Sequence, residues 1–97
     1  MAIAIVAAMP VRVENAEEFT KGFEELVRHV IAEPGNRLYQ LFKSRKDGRL
    51  FVIEIFDDEG ALKAHMESEH FRKGSHALAH LVEGEVDSLV LDAIGNL

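Results

Sequence analysis

The chain has 97 residues, is 47% hydrophobic, lacks cysteine, and carries 17 acidic against 11 basic residues for a formal charge of -6. Its length fits a single domain over residues 1–97, with a core burying somewhat over 60% of the unfolded surface. The acidic balance argues against a nucleic-acid partner, which needs a clustered basic surface, and the missing thiols exclude disulfide, iron–sulfur and thiolate-zinc scaffolds.

Ile3 to Val13, IAIVAAMPVRV, reads as a first strand with apolar residues on both alternating faces. Pro10 limits pairing there and marks an edge or bulge. The apolar start has no basic flank, so it does not read as a signal peptide. No apolar run approaches the roughly 20 residues that span a bilayer. The expectation is a soluble, cytoplasmic protein.

Asn15 is expected to cap the first helix, with Glu18 completing a capping-box pattern. Phe19, Phe23, Leu26, Val27, Val30 and Ile31 follow at spacings of three and four, an apolar stripe that Pro34-Gly35 ends. Arg37–Ser44 and Leu50–Phe56 read as strands joined through Asp47-Gly48, an antiparallel hairpin. The basic run Lys43–Arg49 is then a solvated turn. Asp58 caps a helix starting near Glu59, and Ser68 caps another from Glu69 to about Val82, ended by Gly84. Glu85 to Ile94 is the last strand.

Strand, helix, strand, strand, helical region and strand make an α+β, ferredoxin-like β-α-β-β-α-β order with a four-stranded antiparallel sheet. Strand three carries Leu50, Val52 and Phe56 on one face and Phe51, Ile53 and Ile55 on the other. An open sheet would leave the second apolar face wet, and a second copy of the chain is the simplest cover.

The segment EIFDDEGALKAHMESEHF, Glu54–Phe71, carries the chemistry. Glu54 sits in an apolar strand, where a carboxylate is costly unless paired or protonated. His65 shares a helix stripe with Ala61, Leu62 and Met66. A carboxylate and an imidazole on adjoining elements suit proton transfer in a pocket. The alternatives stay open. Glu54 can bind helix-terminal amides, His65 can be a packed histidine holding a structural hydrogen bond, and His70 can be a solvated helix start. Tyr39 is a pocket hydroxyl or a packed strand residue, and Asn36 a turn residue. His76 and His80 lie four apart, a metal-binding spacing, but with no third ligand a solvated face is the simpler reading.

Glu33-Pro34-Gly35-Asn36 with Tyr39, Phe51-x-x-Glu54, and Ala61-Leu62-x-Ala64-His65-x-x-Ser68-x-His70-Phe71 together resemble the antibiotic biosynthesis monooxygenase domain, over nearly the whole chain. The resemblance implies a dimeric α/β barrel, two protomers packed sheet against sheet, with a pocket between sheet and helices in each. Its oxygenases act without metal or flavin, which implies oxidation of a small aromatic, quinol or enolisable substrate by O2. With no cysteine, no glycine-rich nucleotide loop and no complete ligand set, no haem, flavin or metal cofactor is expected. In that reading His65 is the base, Glu54 polarises it, and Tyr39, Asn36, His70 and Phe71 bind substrate. An isomerase or lyase acting by proton transfer, or a non-catalytic dimeric binding module, are the rival functions. The haem-degrading branch uses an Asn, a Trp and a His. This chain has no Trp, a departure from that branch.

Overall fold

The computed structural model describes residues 1–96. The elements are β1 (Ile3–Met9), α1 (Ala16–Val30), β2 (Asn36–Lys43), β3 (Leu50–Phe56), α2 (Glu59–Glu67), α3 (Glu69–Leu78) and β4 (Asp87–Asp92). One 3₁₀ turn, Val13–Asn15, leads into α1, and another, Ala79–Leu81, follows α3. The sheet order is β2-β3-β1-β4 with every pair antiparallel, the ferredoxin-like arrangement. No described helix is long and apolar enough to cross a membrane.

The helices lie on one sheet face. Phe19, Phe23, Leu26 and Val30 of α1 are buried against a sheet surface that includes Ala7, Tyr39 and Val52. The alternation in β3 is as the sequence indicates. Leu50, Val52 and Phe56 are buried beneath the helices, while Phe51, Ile53 and Ile55 stay half-buried on the other face. Register places Val6 beside Ile53, and Leu89 beside Val6, so the apolar outer surface continues across the sheet.

Several boundaries differ from the sequence reading, each for a local reason. β1 stops at Met9, because Pro10 has no amide for the ladder, and Val11 keeps only an isolated bridge to Val82. Asn15 precedes α1 but makes no side-chain cap. The 3₁₀ turn ahead of it sets Asn15 at φ -104°, ψ -2°, whereas a capping residue needs extended backbone. Ile31 falls past the helix end and is exposed. α3 tightens into the 3₁₀ turn after Leu78 and so ends short of Val82. β2 begins one residue early, and β4 is shorter than expected at both ends.

The caps that matter for the site do form. The Asp58 side chain accepts from the Ala61 amide at 2.8 Å. Ser68 Oγ donates to the His65 carbonyl at 2.7 Å and accepts from the Phe71 amide at 3.2 Å. One hydroxyl thus joins the end of α2 to the start of α3. Gly35, at φ +87°, turns the chain out of α1, and its carbonyl accepts from the Asp57 amide at 2.8 Å. A Cβ there would lie 2.7 Å from the Ala61 Cβ. Glycine is therefore needed twice, for its backbone and for the close approach of the 33–35 turn to α2.

Candidate active site

β3 presents Glu54 on the helix-covered face, level with Ile5 of β1 and Tyr39 of β2. These residues belong to the wall of a cavity of about 680 Å³ between sheet and helices. Phe23, Leu62, Met66, Phe71 and Val90 add apolar surface, and the polar side chains in the wall are Tyr39, Glu54, Ser75 and Ser88. Among the described residues no lysine, arginine or histidine lines it. Burial, and then the charge of Glu33, push the Glu54 carboxyl up to about 7. Burial, followed by the charges of Glu54 and Glu33, raises the Tyr39 hydroxyl far above its ordinary range, so it remains a neutral donor.

His65 is the one buried residue of α2, at 1% exposure. Its ring is sealed among Phe71, Phe56 and Tyr39, with centroids 4.5, 5.0 and 5.4 Å away. Nδ1 lies 2.9 Å from Glu33 Oε2 and 3.2 Å from Oε1. A carboxylate oxygen accepts, so the tautomer that fits this contact has its proton on Nδ1 and donates to Glu33. Among the described residues Nε2 has no hydrogen-bond partner, and it faces Glu54 Oε1 at 3.7 Å, just beyond hydrogen-bond reach. His65 thus stands one layer behind Glu54, which is the group that meets the cavity.

The structure brings four of the six residues singled out in the sequence together: Glu54, His65, Tyr39 and Phe71. His70 lies outside the cavity wall, in the groove between α1 and α3, with its ring stacked on His29. It joins the site from behind, its Nε2 2.5 Å from Glu33 Oε2. Asn36 also lies off the cavity wall. Its Nδ2 donates to the Leu38 carbonyl at 3.1 Å, where the β2–β3 register shifts. His76 and His80 are exposed, His80 facing Glu18 at 3.5 Å.

The residue without an assigned role in the sequence reading is Glu33. A signal for it exists. Glu33 sits in the turn that closes α1, its amide bonded to the Val30 carbonyl, where the helix dipole disfavours an acid. An acid held there, beside Pro34-Gly35, needs a partner. Here the partners are two imidazoles, supplied by residues 32 and 37 positions downstream.

A model of the family described as antibiotic biosynthesis monooxygenase matches residues 2–77. The chain belongs to this family. Among its relatives is the protein named "Putative monooxygenase YcnE" of Bacillus subtilis (strain 168), 39% identical over 71 residues, covering 72% of this chain and 75% of that protein. A crystal structure from Caulobacter crescentus CB15, described as a putative antibiotic biosynthesis monooxygenase, superposes with a TM-score of 0.91 at 32% identity, over 97% of this chain and 91% of that one. The fold also matches SnoaB from Streptomyces nogalater, described as a cofactor-independent oxygenase. That TM-score is 0.82 at 21% identity, over 99% and 96% of the two chains. Membership in the antibiotic biosynthesis monooxygenase family supports a monooxygenase-type function in general terms.

Proposed function

We propose that this protein oxidises a small, largely apolar aromatic, quinol or enolisable molecule with O2, and that Glu54 and His65 start the reaction by taking its proton. One observation carries the reading. A carboxyl pushed up to about 7 faces an apolar cavity and is backed by an imidazole whose second nitrogen is free. A base works best when its pKa lies near the operating pH.

Glu54 is the substrate-facing group. It accepts the proton of a hydroxyl, or of a carbon beside a carbonyl. A shift of under 1 Å closes the gap to His65 Nε2, which can then hold that proton. Glu33 keeps the Nδ1 proton fixed, so Nε2 remains the acceptor, and it stabilises the imidazolium that forms. The substrate anion is electron-rich enough to reduce O2. One oxygen atom becomes the new carbonyl of the product and the other leaves as water, which takes one proton from the oxidised substrate carbon as its C–H bond breaks and the other back from the Glu54–His65 pair. The pair is therefore restored in each cycle. Tyr39 and Phe71 hold the substrate ring, and the apolar wall limits water. SnoaB, described as a cofactor-independent oxygenase, has this fold. It supports O2 chemistry without a resident cofactor here.

The outer sheet face completes the proposal. Phe51, Ile53, Ile55, Val6, Leu89 and Phe42 form an apolar surface that no described element covers, and Leu89 is 63% exposed. We infer a homodimer packed sheet on sheet, two α/β layers closing around a shared apolar centre.

An oxygen electrode with a panel of quinols and anthrone-like phenols provides the test. The expected result is stoichiometric O2 uptake with product formation, lost in Glu54→Gln. Solvent-proton exchange into a substrate without O2 uptake would assign the pocket to an isomerase or lyase instead.

A further inference from the structure

Glu33, His65 and His70 form a cluster on the far side of His65 from the cavity. Glu33 Oε2, His65 Nδ1 and His70 Nε2 all lie within 4.8 Å of one another. We propose that these three atoms are a divalent-cation site of the kind zinc prefers, built behind the catalytic pocket. Two imidazole nitrogens and one carboxylate oxygen are a donor set zinc binds with three protein ligands, leaving a fourth position for water.

The cluster is held in place before any ion arrives. His65 lies in the last turn of α2 and His70 in the first turn of α3, and Ser68 fixes the junction through the His65 carbonyl and the Phe71 amide. The tight Gly35 turn carries Glu33 against α2. Side-chain exposure rises from 1% at His65 through 11% at Glu33 to 28% at His70, so the cluster opens to solvent on one side only, past His70. Bonds of about 2.0–2.2 Å to one ion set tetrahedral donor atoms roughly 3.4 Å apart. The contacts of 2.9 and 2.5 Å to Glu33 Oε2 must open by a few tenths of an ångström to about 1 Å. The protons now shared in those two contacts are what the ion replaces. This donor set differs from the His76–His80 pair that the sequence spacing suggests, and only the tertiary fold assembles it.

The position has a chemical consequence, which rests on the proposed function above. An ion on Nδ1 leaves the remaining ring proton on Nε2. His65 then donates toward Glu54 and can no longer accept a proton from it. Zinc at this site would therefore inhibit the base without entering the substrate cavity.

Binding is measured first, by calorimetry of zinc chloride into chelator-stripped protein, with cobalt(II) absorption as a second readout of coordination. One ion per chain is expected. Outer-shell changes alone cost about 10–100-fold in affinity, so His70→Ala and Glu33→Gln should each weaken binding by at least roughly tenfold. A His76→Ala/His80→Ala variant should bind as the wild type does. His70 is partly exposed, so His70→Ala keeps the test valid if Glu33→Gln fails to fold. Binding that is absent, or that disappears with His76 and His80 while surviving His70→Ala, overturns the site. Turnover is measured second. Zinc should slow the wild type and leave His70→Ala at its own metal-free rate. Zinc bound at the site with undiminished turnover overturns the inhibitory consequence. The binding arm stands whether or not the oxygenase reading does.

Discussion

The two faces of one sheet are built differently. Both are apolar, and β3 alternates between them residue by residue. On the inner face the row through Tyr39, Glu54 and Ile5 includes a carboxylate, and the helices cover it with a histidine at the contact. On the outer face the next row, Gln40, Ile53 and Val6, carries no charge and no described element covers it. A buried acid costs several kcal/mol unless it finds a partner or a proton, so Glu54 is a costly residue for the inner row to carry. The outer row stores apolar surface that becomes stabilising only when water leaves it.

The largest effects should come from the inner face. Glu54→Gln should cut turnover by about 10²–10⁴-fold, the usual range for loss of a general base. His65→Ala should lower it comparably, because Glu54 then has nowhere to pass the proton. The double variant should be little worse than either alone, since groups acting as one unit are not additive. Glu33→Gln should cost less, because the amide oxygen still accepts from Nδ1. Full activity in a folded His65→Ala variant would reduce His65 to a packing residue.

The outer face is tested by Ile53→Lys. Its inner counterparts are untouched, so the protomer should fold with unchanged circular dichroism. Sedimentation should then report the 10.8 kDa chain rather than about twice that mass. Each twofold interface receives the charge twice, at a cost of several kcal/mol. A wild-type protein that is monomeric at micromolar concentration contradicts the sheet-on-sheet assembly outright.

How much of this was visible in the sequence follows the same division. Local signals read correctly: the period-two alternation of β3, the Asp47-Gly48 hairpin and the Asp58 and Ser68 caps each depend on residues within a few positions. That Glu54 and His65 lie near each other was legible because an acid in an apolar strand and a histidine on the next helix share one face of the sheet; the 3.7 Å gap between them was not. Asn15 misled because its capping role depended on backbone angles that the preceding 3₁₀ turn had already set. Glu33 has no visible role in the sequence, since its partners arrive through the packing of α2 and α3 onto the end of α1. Which of Glu54 and His65 meets the cavity was not legible either. That order is a matter of depth, and alternation gives only a face.

The smallest predicted effect isolates the cost of placing an acid on the inner face. The Glu54 carboxyl titrates at about 7 in the fold against an ordinary 4.5, because burial and the Glu33 charge disfavour its ionised form. Between those values the folded chain holds more of this proton than the unfolded chain does. Stability therefore falls as pH rises from 4.5 toward 7 and levels off above. The full shift corresponds to about 3 kcal/mol. Glutamine cannot ionise, so chelator-treated Glu54→Gln should lack this part of the slope. Denaturant unfolding of the two proteins at pH 5 and pH 8 measures the difference directly. The variant's advantage should grow by about 1–3 kcal/mol between the two values, while the outer-face Ile53→Lys protomer should show the wild-type slope. An advantage that stays constant with pH would mean that Glu54 is fully ionised throughout, and the inner face would then hold a solvated carboxylate rather than a base near neutrality.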